Sequence, residues 1–133
     1  MTNTDILSSA RKLAVGFAAL RIGYAVGLLA VPERVARAWI GADARSPGGA
    51  VALRGLGGRD LVLSVGVAAC AWSGRDARPW LAACAASDAI DLTATLLAPG
   101  SSLPSKAKPG AVALAGGFGA LGAALATRDG LAG

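Results

Sequence analysis

The sequence contains no histidine, and charged and aromatic residues are scarce among its 133 residues. The absence of histidine excludes a histidine-based catalytic triad, haem or zinc bound through histidine, and a histidine proton switch. Charged residues make up 16% of the chain, against roughly 25% in a typical soluble domain. Aromatic residues make up only 5%, which leaves few platforms on which nucleic-acid bases could stack.

Cysteine is also rare, and its placement is uninformative for redox or metal chemistry. Cys70 and Cys84 each lie inside an apolar segment, with no Cys-x-x-Cys spacing. This spacing gives little support to a redox or metal pair, so we interpret both as small buried hydrophobic side chains. A disulfide between them stays open. We expect no metal and no cofactor.

The residues that are present are mostly apolar: 54% are hydrophobic, and the mean hydropathy is +0.56. A soluble domain of this size must cover a large surface with polar groups, and this chain has few of them. We therefore predict one integral membrane domain over residues 1–133, multi-pass in the cell inner membrane; a soluble helical bundle is the alternative. The N-terminus lacks the pattern of a cleaved signal peptide. The net charge of +5 comes from scattered basic residues, so we expect the lipid bilayer as partner and no nucleic acid.

Four apolar segments predict helices, each near the roughly 20 residues that cross a bilayer. They run over Leu13–Val31, Gly48–Trp72, Pro79–Ala98 and Gly110–Ala126. Short connections make sequential helices antiparallel neighbours, so the predicted fold is all-α, a four-helix transmembrane up-down bundle. The amphipathic segment 32–40 predicts a short interfacial helix anchored by Trp39. The GxxxG spacing of Gly23 and Gly27 predicts a close helix contact, and a homo-oligomer is left open.

Charged residues interrupt three of these segments: Arg21, Arg54, Arg59, Asp60, Asp88 and Asp91. At about 1.5 Å per residue, Arg21, Arg59 and Asp60 fall near the middle of their helices, and the other two aspartates lie roughly 13 and 18 Å into theirs. An isolated charge at the bilayer centre costs at least about 2.5–3.5 kcal/mol. These side chains must therefore face inward and pair, three against three. The expected partners are Arg21 or Arg59 with Asp88 or Asp91.

We interpret this group as a site for a small lipophilic molecule. Carboxyls in different electrostatic settings separate into a protonated acid and an ionised base, so Asp60, Asp88 and Asp91 are the candidate catalytic residues. The candidate substrate-binding residues are Arg21, Arg54, Arg59 and Tyr24, since guanidinium groups orient carboxylates and stabilise oxyanions. In a catalytic version, the protein would be an Asp-dependent hydrolase, isomerase or cyclase acting by acid–base chemistry.

Three other interpretations of the same charges stand beside this one. The ion pairs would simply fix the register of the helices, because such networks are often energetically neutral relative to apolar packing. The chain would be a structural or assembly subunit whose intramembrane charges pair with a partner helix. It would be a proton-coupled carrier, in which the carboxyls relay protons.

The stretch LRGLGGRDLVL at 53–63 resembles a motif of an uncharacterised family of small four-helix membrane proteins common in high-GC bacteria. The resemblance covers the second apolar segment and, more loosely, the acidic third one. It implies the four-helix topology and no particular reaction. Arg54, Arg59 and Asp60 are the positions that map onto the motif.

Overall fold

The computed structural model describes the backbone of residues 3–132 and the side chains of residues 9–132. Within this range the chain folds into helices and turns without a strand. Its five helices are α1 (Asn3–Ala30), α2 (Pro32–Ile40), α3 (Pro47–Ser73), α4 (Arg78–Leu97) and α5 (Ala107–Ala126). A π-helical turn, Val112–Gly116, interrupts α5. Short 3-10 turns lie at Gly41–Arg45, Gly100–Ser102 and Asp129–Leu131.

The all-α prediction is confirmed, and each predicted segment is helical. Two helices begin earlier than expected. The first begins at Asn3 rather than near Leu13, because neither proline nor glycine precedes Leu13 to interrupt the helix. The last begins at Ala107, before the predicted start at Gly110. The short helix predicted over 32–40 is present as α2.

Local hydrogen bonds define both ends of α3. At its N-terminus the Ser46 hydroxyl oxygen accepts a bond from the backbone N–H of Gly49 at 2.9 Å, as an N-cap does. At its C-terminus Gly74 adopts φ +73°, a left-handed conformation that glycine tolerates best. Asp76 in the following turn accepts hydrogen bonds from the side chain and backbone of Arg78, and these bonds lower the pKa of the Asp76 carboxyl.

The helices pack as two pairs, α1 along α3 and α4 along α5, and the pairs meet where α3 contacts α4. The tightest approach of α1 to α3 is at Gly57, where a Cβ atom would lie 2.9 Å from the carbonyl oxygen of Ala25. The predicted contact at Gly23 is wrong, because Gly23 faces open space. Gly27 instead faces Val35 of α2, whose Cγ2 would lie 3.0 Å from an added Cβ.

This packing predicts opposite effects for two adjacent glycines. We expect Gly57→Ala to lower the free energy of unfolding by about 1–3 kcal/mol, because the new methyl group has no room against α1. A Cβ on Gly58 meets nothing within 4 Å, so Gly58→Ala should raise that free energy by about 0.5–1 kcal/mol through helix propensity. Equilibrium unfolding of both variants in mixed detergent micelles measures the difference. Equal effects at the two positions would contradict the packing of α1 on α3.

Two apolar clusters lie on either side of a layer of buried charge. One cluster is built around Phe17, Val67, Leu81 and Leu125, and the other around Leu28, Ala36, Ala44 and Leu53. Along α1, Arg21 lies between Phe17 of the first cluster and Leu28 of the second. Cys70 and Cys84 are buried with free thiols, which confirms their interpretation as small core side chains.

The outward faces of the long helices are apolar. Large exposed hydrophobic side chains include Leu13 on α1, Val62 on α3, Ile90 on α4 and Leu121 on α5. Among the described residues, three helices are long and apolar enough to cross a membrane: Ser9–Ala30 within α1, and the whole of α4 and α5. The three charged residues of α3 lower its hydropathy, and α3 is not one of the three.

Candidate functional site

A buried ion pair joins α1 to α4 at the centre of the molecule. Arg21 and Asp88 are each only 5% exposed. The NH1 group of Arg21 donates to Oδ1 of Asp88 at 2.9 Å and to Oδ2 at 2.6 Å. These lengths are typical of charge-assisted hydrogen bonds, which are about twice as strong as neutral ones. The pairing expected from helix depth is confirmed.

A second ion pair joins α3 to α4. The NH1 and NH2 groups of Arg59 donate to the two carboxylate oxygens of Asp91 at 3.1 and 2.6 Å. Arg59 also donates from Nε and NH2 to Oδ1 of its neighbour Asp60, at 3.1 and 2.9 Å. The second expected pairing is thereby confirmed as well. One guanidinium group consequently serves two carboxylates.

Asp60 lies between the two pairs and links them. Its Oδ1 accepts both bonds from Arg59 and lies 3.7 Å from NH2 of Arg21. Its Oδ2 accepts no hydrogen bond from any residue the structure describes, although the side chain is only 8% exposed. Two guanidinium groups thus meet three carboxylates, which leaves one negative charge in excess when all are ionised.

Arg54 does not belong to this group, so the expected balance of three against three is wrong. Its side chain is exposed, and its Nε donates to the carbonyl oxygen of Leu29 at 3.2 Å, near the C-terminus of α1. Arg54 precedes Asp60 by six positions, which places the two side chains about 120° apart around the helix. Counting residues along α3 predicted the depth of Arg54 in the bundle but not the direction in which its side chain points around the helix.

Two phenylalanine rings enclose the buried guanidinium group. The Cζ atom of Arg21 lies 5.5 Å from the ring centre of Phe17 and 5.9 Å from that of Phe118. The Nε and NH2 atoms of Arg21 are fully buried and have no hydrogen-bond partner among the described residues. The cation–π contacts offset part of the free-energy cost of leaving these donors unpaired. Neither phenylalanine was predicted as a site residue from the sequence. Phe17 precedes Arg21 by four residues, a spacing that puts two side chains on one helix face, whereas nothing local marks Phe118.

A cavity of about 490 Å³ opens beside the charged group. The charged residues Arg21, Asp60, Asp88, Asp91 and Lys106 line it, and the remaining wall is mainly apolar, including Leu20, Leu56, Leu114, Ala115 and Phe118. All five helices contribute residues to the wall. Its volume lies within the roughly 300–1,000 Å³ of typical small-molecule sites. A largely apolar cavity with a few convergent charges is suited to a molecule with one polar end.

The predicted site residues fall into three groups. Five of them line the cavity: Arg21, Tyr24, Asp60, Asp88 and Asp91. Arg59 does not line it but holds Asp60 and Asp91. Arg54 lies outside it altogether. The structure therefore brings together most of the predicted set and removes one member.

Trp39, predicted as an interfacial anchor, lines the cavity. Its indole N–H donates to the Thr95 hydroxyl oxygen at 2.9 Å, and the Thr95 hydroxyl donates to the backbone carbonyl of Asp91 at 2.8 Å. Trp39 turns inward because α2 packs against α1, α3 and α5. The short helix thus covers one side of the cavity.

Comparison of the chain with protein-family models, with curated proteins and with solved structures finds no match. The resemblance of segment 53–63 to a family of small membrane proteins stays a prediction. The cavity and its charges are therefore the features of the protein that indicate a function.

Proposed function

We propose that the protein is a four-helix up-down bundle that spans the cell inner membrane. The apolar outward faces and the three helices of sufficient length and hydropathy support this arrangement. The charged α3 becomes tolerable in the bilayer because Arg59 and Asp60 pair with each other and with residues of α1 and α4. In this arrangement α2 lies near the interface and covers the cavity.

Within this bundle, we propose a binding site for a small lipophilic molecule that enters from the bilayer. The observation that carries the proposal is the 490 Å³ cavity, whose apolar wall ends at buried carboxylates. A purely structural ion-pair network needs no such space beside it. An assembly subunit would be expected to leave its charges for a partner helix, whereas here the guanidinium groups are engaged by carboxylates of the same chain.

The polar end of the ligand is a hydrogen-bond donor, preferably an amine. The unpartnered nitrogen atoms of Arg21 are fully buried, so they are not presented to the cavity. Asp60 does line the cavity, and its Oδ2 accepts nothing from the described residues. The exposed Lys106 also lines the cavity, and its charge offsets the excess carboxylate of the group. The free acceptor at Asp60, rather than a net charge, therefore selects a donor head.

In a catalytic version of this function, Asp60 is the acid–base residue. Arg21 engages both oxygens of Asp88, and Arg59 engages both oxygens of Asp91, so neither carboxyl group has an oxygen without a guanidinium donor. Asp60 retains one oxygen that can exchange a proton with a substrate. Arg21 and Arg59 then position the carboxylates rather than contact the reacting atoms.

Filling the cavity tests the proposal. The probe is 1-aminoanthracene, an apolar aromatic amine whose fluorescence rises in apolar sites, added to the protein in lipid nanodiscs. Ala115 lines the cavity, whereas Ala113, two residues away on α5, is exposed and does not. We expect Ala115→Trp to weaken binding about tenfold or more, because the indole occupies the space the probe needs.

Ala113→Trp is the matched control, since it adds the same indole to the outer face of the same helix. It should bind the probe as the unmodified protein does, and both variants should keep the helical circular dichroism spectrum. Equal probe binding by the two tryptophan variants would remove the cavity from consideration.

A further inference from the structure

A second cavity, of about 290 Å³, lies where α1, α2, the turn Gly41–Arg45 and α3 meet. Three arginines line it, each from a different element: Arg34 from α2, Arg45 from the turn and Arg54 from α3. One carboxylate, Glu33, accompanies them. The lining therefore carries two positive charges in excess, at any physiological pH because arginine does not deprotonate.

The backbone positions one of these guanidinium groups. Nε of Arg54 donates to the carbonyl oxygen of Leu29 at 3.2 Å, near the end of α1, which turns the side chain across the gap between α1 and α3. Its two terminal nitrogen atoms donate to nothing among the described residues. They remain available to an acceptor in the cavity.

The other two arginines differ in their engagement. Nε of Arg45 donates to Glu33 at 2.7 Å, and both side chains are about half exposed. The side chain of Arg34 makes no ion pair and no hydrogen bond with the described residues, and it is exposed. Like charges gathered around one cavity repel one another, and an anion between them removes that repulsion.

We propose that this cavity binds a phosphate group. The planar guanidinium fork matches phosphate oxygens through paired hydrogen bonds, and three forks from three elements line this cavity. Two sources of phosphate fit that chemistry, a lipid headgroup and a soluble phosphate ester. Exposed apolar side chains flank the arginines at Val31 and Val51, which supplies a surface for acyl chains and favours the lipid.

Lipid competition tests the inference. The protein is purified into detergent micelles that contain equal amounts of phosphatidylglycerol and phosphatidylcholine, and retained lipids are counted by native mass spectrometry. Both lipids carry the same phosphodiester, but choline adds a cation that the arginines repel. We expect preferential retention of phosphatidylglycerol, reduced about 10–30-fold by the double variant Arg34→Gln/Arg54→Gln.

The matched control is Arg75→Gln/Arg128→Gln, which removes two exposed arginines outside this cavity. This control should keep the lipid preference. Arg34→Gln alone changes a side chain without partners among the described residues, so this variant should fold normally and lose part of the lipid preference. Displacement of the lipid by 10 mM inorganic phosphate would assign the same site to a soluble phosphate. Equal retention of the two lipids, or equal loss in the control, would overturn the proposal. Ala115→Trp should leave the lipid preference intact, so this site stands or falls independently of the first cavity.

Discussion

Arg21→Met should lower the free energy of unfolding by about 3–5 kcal/mol, because it leaves the buried Asp88 carboxylate without its partner. Asp88 is 5% exposed, and both its oxygens accept bonds from Arg21. No other guanidinium group lies within ion-pair distance of Asp88 among the described residues. The change also removes the cation that Phe17 and Phe118 enclose. Equilibrium unfolding in mixed micelles gives the difference directly.

The double variant Arg21→Met/Asp88→Val separates the worth of the pair from the penalty of breaking it. Replacing a buried pair by apolar side chains is often neutral or stabilising, so the double variant should recover most of the loss. Arg34→Met is the control: it removes an exposed arginine without partners and should change stability by less than about 0.5 kcal/mol. A double variant as unstable as the sum of its single variants would show that the two residues act separately.

Asp60→Asn should weaken the binding of decylamine about 10–100-fold while leaving the fold at least as stable. Asparagine keeps an oxygen that accepts the bonds from Arg59, but it replaces the second oxygen of a carboxyl group that lines the cavity with an amide nitrogen, which donates instead of accepting. A hydrogen bond to a charged group contributes about 1.5–3 kcal/mol, which corresponds to that loss of affinity. Displacement of 1-aminoanthracene from the protein in nanodiscs measures it.

Three probes of equal chain length sharpen this test. Decylamine should bind more tightly than decanol, and decanol more tightly than decanoic acid, because Asp60 accepts a hydrogen bond and repels an anion. In Asp60→Asn the order should flatten. Asp129→Asn, at an exposed position, should keep the original order. Tightest binding of decanoic acid would reverse the assigned chemistry of the site and point to the guanidinium groups instead.

The position of each charged residue along its helix was predictable from the sequence, and this was enough to predict the two ion pairs. Arg21, Arg59, Asp88 and Asp91 were placed at similar depth by counting residues from the helix ends, and they do pair across helices. The cost of an unpaired charge in an apolar segment made inward pairing the expected outcome. Helix ends also depend on the local sequence. Gly74 ends α3, because glycine best tolerates the left-handed conformation found there.

The direction in which a side chain points around its helix was harder to predict from the sequence, because it depends on which helices are neighbours. Arg54 shares α3 with Asp60 but faces the end of α1. The indole of Trp39 bonds Thr95 of α4, a contact that depends on how α2 lies against three other helices. Phe118 reaches Arg21 from the far end of the chain. The cavity itself is the space left between helices, and no residue pattern along the sequence encodes such a gap.

The pairing of Arg21 with Asp88 has a consequence for biosynthesis, because 67 residues separate the two partners. At about 5–20 residues per second, the ribosome releases Arg21 about 3–13 s before its counter-ion. Until α3 brings Asp60, which lies 3.7 Å from Arg21, the first helix carries an unneutralised guanidinium group, and its hydrogen-bonded partner on α4 arrives later still. In the proposed bilayer setting, α1, α3 and α4 would leave the insertion machinery for the lipid as one assembled group rather than helix by helix.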